Sequence, residues 1–248
     1  MSVKIRLVLL LLVAVTYVWI FVTDEMDPLG RELKEYRIQY TELPITIDGR
    51  LDELAWESAV DVDAFEFPWW EAGRKEQTRT RLLWDDEYLY VSFVCEDAYI
   101  SGEHTERDSP VYEDDCVEVF TSPNPAELNK YFNVEMNVLG ASLEHIHPEG
   151  PGTKATWDPL VKIATTIDGT LNDDTDIDRS WTLEIAIPFS SFAEVAVHTP
   201  PLSGDEWRMN LNRLGGKVNR QASQWSPGDP DDFSFHAPQY FGVVRFAK

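Results

Sequence analysis

Basic residues are scarce in this chain: 21 Lys and Arg stand against 44 Asp and Glu, for a formal net charge of −23 at pH 7. Such a surface repels phosphate backbones and offers no basic stripe, which excludes nucleic-acid binding. Cysteine is scarcer still, with Cys95 and Cys116 alone, and no CxxCH motif exists for covalent haem attachment. Cys95 shares its alternation with Leu89, Val91 and Phe93, whereas Cys116 alternates against Val117 and Val119. The two thiols are therefore expected to point apart and stay unpaired, because a disulfide needs Cα atoms within about 7 Å and convergent Cβ vectors. The five histidines show no HExxH or other zinc spacing. There is no GxSxG elbow and no Ser-His-Asp series. A glycosidase holds two carboxylates about 5–10 Å apart, and no such pair is singled out by the sequence. Long helical periods and internal repeats are also missing.

What the chain has in quantity is strict strand alternation. In residues 78–96, Leu82 and Trp84, then Leu89, Val91, Phe93 and Cys95, form one side-chain row, with the acidic Asp85, Asp86 and Glu87 as a surface turn between two arms. Val117 and Val119 supply a third strand, with Cys116, Glu118 and Phe120 facing the other way. Phe132, Val134, Met136 and Val138 share one face against Asn133, Glu135 and Asn137; Trp181, Leu183, Ile185 and Ile187, and then Trp207, Met209 and Leu211, repeat the pattern. Half-buried strands in this number predict an all-β fold, a two-layer antiparallel β-sandwich of jelly-roll type with short helical turns. One such turn is expected near Leu54–Trp56, with Trp56 closing one end of the core. The Phe65, Phe67, Trp69 and Trp70 segment reads as buried loop aromatics, with ligand stacking by the Trp pair as the second reading.

The chain divides into three parts. In residues 1–23, Lys4 and Arg6 precede sixteen uncharged residues, 7–22. This predicts a hydrophobic helix that exports the domain and anchors it in the membrane, because the bulky end of the segment lacks the small residues of a processing site. Cleavage of the same segment as a signal peptide, giving a secreted domain, is the alternative. Residues 24–40 read as a linker and first strand, and residues 41–248 as the sandwich.

Four strings in order, ITIDGRLDELAW, TRLLWDDEYLYVSFVCED, EDDCVEVF and QWSPGDPDDFSFHAPQYFGVVRF, resemble the family 9 carbohydrate-binding modules over nearly the whole chain after residue 40. The resemblance implies a β-sandwich of the kind often appended to xylanases, which holds the end of a sugar chain between two aromatic rings and binds structural calcium. It also implies a saccharide partner, a glycoside hydrolase as an associated enzyme, and a role in carbohydrate catabolism. Tyr112 and Phe235 stand where the family carries two tryptophans, Glu118 matches a glutamate that bonds sugar hydroxyls, and Asn133 replaces a family arginine. Trp225 lies close to the second ring position, although its sequence context reads as core.

Calcium, the implied metal, has two candidate acidic runs: Glu113 with Asp114, and Asp174, Asp176 and Asp178. The second is not an EF-hand, since Arg179 and Ile185 occupy the glycine and glutamate positions. The wider superfamily contains haem-binding sandwiches, so a b-type haem electron-transfer domain is the alternative function, with Met136, His104, His145 and His147 as possible axial ligands. Met136 shares a face with Phe132 and Val134, which fits plain core. A structural protein-interaction domain is a third reading.

Overall fold

The computed structural model describes residues 25–248; the anticipated membrane or signal segment lies outside the described residues. Every alternating segment becomes a strand. In chain order these are β1 (Glu35–Tyr40), β2 (Thr78–Trp84), β3 (Tyr88–Glu96), β4 (Cys116–Ser122), β5 (Tyr131–Asn137), β6 (Ser142–His147), β7 (Ala155–Thr156), β8 (Lys162–Asp168), β9 (Ser180–Pro188), β10 (Glu206–Leu214), β11 (Ala222–Gln224) and β12 (Gly242–Ala247). A five-residue helix, α1 (Leu54–Ser58), follows β1.

The strands form one continuous ladder in the order β7-β6-β5-β4-β10-β12-β1-β2-β3-β9-β8, with β11 paired to β10. The ladder curls so that two layers face each other, β6-β5-β4-β10 and β2-β3-β9-β8. Their inner rows, including Val119, Val134 and Leu211 from one layer and Val91, Leu183 and Ile185 from the other, share the main core. The sandwich expectation holds, with one refinement: β1 runs parallel to both β12 and β2, whereas the other strand pairs are antiparallel. The β2–β3 hairpin needs no Asn-Gly because Asp85 substitutes its side chain. Its Oδ1 accepts from the Glu87 and Tyr88 amides at 2.7 Å each, an Asx-type turn.

One placement departs from expectation. Trp56 does not close an end of the main core. It packs with Ala55, Leu83, Tyr90 and Ala186 on the outer face of the β2-β3-β9 layer, and its indole donates to Glu184 Oε1 at 2.9 Å. Glu184 also accepts from the Asp48 and Gly49 amides, so an outward-alternating acid becomes the anchor of the 48–58 segment. Gly49 must be glycine here: its φ is 82°, and a Cβ would sit 2.7 Å from the Thr165 carbonyl carbon. The cysteines follow the sequence reading. Both thiols are free, Cys95 in the main core and Cys116 in a separate cluster on the other face of its layer.

Candidate functional site

Alternation sends a second row of side chains to the outer face of the β6-β5-β4-β10 layer, and this row is polar. Glu118 and Phe120 come from β4, Asn133 and Glu135 from β5, and His145 and His147 from β6; together they floor a cleft of about 1170 Å³. Three loops raise its walls. Residues 68–72 bring Trp69 and Trp70, residues 230–236 bring Phe233 and Phe235, and the short turn Val111–Glu113 brings Tyr112. Of the sequence-predicted residues, Tyr112, Glu118, Asn133 and Phe235 meet in this cleft. Trp225 does not: it is 1 % exposed in the main core, where its ring presses on Gly242.

The aromatic walls differ from each other. Tyr112 is 43 % exposed and stands alone. Phe235 is buried with Phe120, Tyr131 and Phe241, so it forms the backing of its wall and offers little surface itself. The exposed rings there are Phe233 and Trp70; Trp69 is half-buried, with its ring centroid 4.7 Å from that of Phe233. The Trp69 indole donates to the Asp229 carbonyl at 2.8 Å, which pins one wall loop to the other. Both tryptophans line the cleft, Trp69 half-buried and Trp70 exposed, rather than lying buried in their loop as the sequence suggests. Phe233 was missed altogether. Its only signal is its position two residues ahead of Phe235 in the same acidic loop.

The floor is a polar network. Cross-strand register sets Glu118 opposite Glu135 on one side and opposite Asn212 on the other. Asn133 Nδ2 donates to Glu135 Oε1 at 2.9 Å, Asn133 Oδ1 lies 2.9 Å from His147 Nε2, and Asn212 Nδ2 donates to Glu118 Oε2 at 3.3 Å. Alternation suggests an exposed Glu118; in the structure it is 3 % exposed, because the cleft walls and its two cross-strand partners enclose it. Burial, reinforced by the facing Glu135 carboxylate, pushes Glu118 well above the ordinary carboxylate range. Glu135 is pushed up to about 7 by burial, although Lys154 and the Asn133 amide pull the other way. At least one of the two facing acids therefore keeps its proton near neutrality. Burial and the neighbouring His236 depress His147 to about 4, so it is a neutral ring there. His236 Nδ1 lies 2.9 Å from the Tyr131 hydroxyl.

The calcium candidates are occupied with backbone. Asp114 accepts from the Glu103 and His104 amides, each at 3.0 Å, and from the Asn137 side chain. Asp178 accepts from the Ile100 and Thr170 amides, tying two loops together. Glu113, Asp174 and Asp176 project from exposed loops, and no group of three or more His, Cys, Asp or Glu side chains gathers for a metal among the described residues. Met136 is fully buried on the core side of β5, opposite the face of Asn133 and Glu135, so it cannot join His145 or His147 on one haem. His104 lies elsewhere, 3.4 Å from Glu113.

The carbohydrate-binding family 9 profile matches residues 43–246, and the chain belongs to that family. It is 22 % identical over 203 residues to endo-1,4-beta-xylanase A of Thermotoga maritima, and 31 % identical over 103 residues to endo-1,4-beta-xylanase C of Paenibacillus barcinonensis. These stretches cover 82 % and 42 % of this chain but only 17 % and 9 % of the xylanases. The chain therefore spans less than a fifth of those proteins. Among solved structures, a putative carbohydrate-binding protein from Bacteroides uniformis superposes with a TM-score of 0.71 at 21 % identity, covering 86 % of this chain and 99 % of its own. A family 9 module from Caldicellulosiruptor kristjanssonii in complex with cellotriose gives 0.60 at 18 % identity, over 86 % of this chain and 94 % of that one. At these identities the likeness establishes the fold.

Proposed function

We propose that the chain is a non-catalytic module that captures the end of a neutral saccharide chain in this cleft, outside the cytoplasm, in support of carbohydrate breakdown by a separate hydrolase. One observation carries the reading: exposed aromatic rings from three separate loops, Trp70, Tyr112 and Phe233, line a cleft whose floor is polar. A pyranose presents a C–H face that stacks on a ring and a rim of hydroxyls that needs both donors and acceptors. Tyr112 on one side and Trp69 with Phe233 on the other supply the rings, while Glu118, Asn133, Glu135 and His145 supply the rim. A carboxyl that keeps its proton donates as well as accepts. It also lowers the cost of excluding water when a neutral ligand settles on it.

The relatives support the substrate class. A family 9 module of the same fold was captured with cellotriose and another time with glucose, and the curated relatives are xylanases. The uncharged segment at residues 7–22, behind Lys4 and Arg6, supports a membrane tether with the module on the outer side.

Calorimetric titration of the full chain with cello- and xylo-oligosaccharides tests the proposal. Tyr112→Ala and Trp69→Ala are each expected to weaken binding about five- to thirtyfold, since a stacked ring contributes on the order of 1–2 kcal/mol. Saturable binding that both variants leave unchanged would move the site elsewhere. A Soret band in protein purified from haem-supplied cells would instead favour the electron-transfer reading.

A further inference from the structure

The opposite layer of the sandwich carries a second pocket. It lies on the outer face of β2, β3, β9 and β8, beside the loop at Gly49–Leu51, with a volume of about 350 Å³. Alternation along the strands builds its floor. The cross-strand register lines up Arg79, Val94, Thr182 and Thr166 in one row and Arg81 with Ser92 in the next.

Its charge runs against the rest of the molecule. In a chain of net charge −23, three arginines, Arg50, Arg79 and Arg81, line this pocket with one acid, Asp61. Asp61 is committed to Arg81 at 2.6 Å, and Arg81 Nη1 also donates to the Trp56 carbonyl at 3.2 Å, so that guanidinium is fixed in place. Arg50 and Arg79 have no ion-pair partner among the described residues. The Thr166 hydroxyl is spent on the Gly49 carbonyl at 2.8 Å, whereas the Ser92 and Thr182 hydroxyls make no hydrogen bond to other described residues. Leu51 and Val94 add apolar surface. Two uncommitted guanidiniums, two free hydroxyls and an apolar strip ask for a ligand with an oxyanion, neighbouring hydroxyls and C–H surface. A bare inorganic anion would use only the first of these, and the volume falls within the range of about 300–1,000 Å³ that suits a small organic ligand.

We infer that this pocket is a second glycan site, specific for a sugar acid whose carboxylate is gripped by Arg50 and Arg79. It is independent of the cleft, from which it is separated by the core between the two layers. A chain with both sites would hold a neutral saccharide on one face and an acidic substituent or acidic polysaccharide on the other.

The test is titration of the full chain with tri-galacturonate and with glucuronate, run against cellotriose and against inorganic phosphate. Arg50→Ala/Arg79→Ala is expected to weaken uronate binding about tenfold or more and to leave cellotriose binding unchanged. Both residues are exposed, so the variant keeps its fold, and an unchanged far-ultraviolet spectrum checks this. Tyr112→Ala is expected to do the reverse. Raising salt from 0.05 to 0.5 M should weaken uronate binding selectively, because an exposed charge contact is screened. The inference falls if neither uronate binds, if the double variant binds them like the wild type, or if Tyr112→Ala abolishes their binding. It falls too if phosphate displaces them at equal concentration, which would make this a simple anion site.

Discussion

Replacing Glu135 by Gln separates the electrostatics of the cleft floor from its shape. Glu135 faces Glu118 across the β4–β5 ladder, and like charges in directly opposed positions are destabilising. An ordinary glutamate releases its proton near 4.5, and Glu135 holds its proton up to about 7 in the fold. Between those two values the native chain keeps a proton that the unfolded chain has lost, so stability is present at the acid end and declines as pH rises through 7. Moving one carboxyl from 4.5 to about 7 corresponds to roughly 3 kcal/mol. Glu135→Gln keeps the side-chain shape and still offers Oε1 to the Asn133 amide, but it has no charge to acquire. It also relieves Glu118, whose own rise owes part to the Glu135 carboxylate. Urea denaturation at pH 5 and pH 8 should therefore show the wild type losing about 3 kcal/mol more than the variant over that interval. Other buried acids, Asp115 among them, titrate in both proteins and cancel in the difference. Parallel stability curves, with a difference under about 1 kcal/mol, would refute a proton retained by Glu135 on the floor.

Two further substitutions probe the frame that holds the site. Arg213 is fully buried on β10 and donates to Asp97 at 2.9 Å and to the Glu96 carbonyl at 2.6 Å, so Arg213→Met strands Asp97 in the interior and should cost about 3–5 kcal/mol in denaturant unfolding. Gly242→Ala would place a Cβ 2.6 Å from the Trp225 ring and 2.8 Å from the Lys34 carbonyl; a loss of about 1–3 kcal/mol is expected, with cleft binding retained at temperatures below the transition.

Much of the frame is legible from period-two alternation alone, because inward rows such as Leu89, Val91 and Phe93 must meet a core wherever the strand lies. Alternation also assigns Glu118, Asn133 and Glu135 to one shared face. It does not tell that this face is enclosed. That depends on loops 68–72 and 230–236 folding over it, contacts made between segments far apart in sequence. For the same reason Trp69 and Trp70 look like buried loop aromatics until Trp69 is seen against Phe233 and Phe235 and Trp70 exposed beside it. The family resemblance directs attention to Tyr112 and Phe235, and both line the cleft. Only the packing of Phe235 against Phe120 and Phe241 assigns the exposed ring surface to its neighbours. The acidic runs at 113–115 and 173–178 carry no mark of their partners in the sequence, yet Asp114 and Asp178 serve as caps for distant backbone amides.

The central claim is that saccharide enters between Tyr112 and the Trp69–Phe233 wall. The most direct measurement is a nuclear magnetic resonance titration of the full chain with cellotriose, following the tryptophan indole N–H signals. Trp69 and Trp70 line the cleft, whereas Trp56, Trp181 and Trp225 are buried away from it. The account predicts saturable shifts of the first two with the last three unmoved. Signals that all stay in place, or shifts confined to the buried indoles, would contradict it.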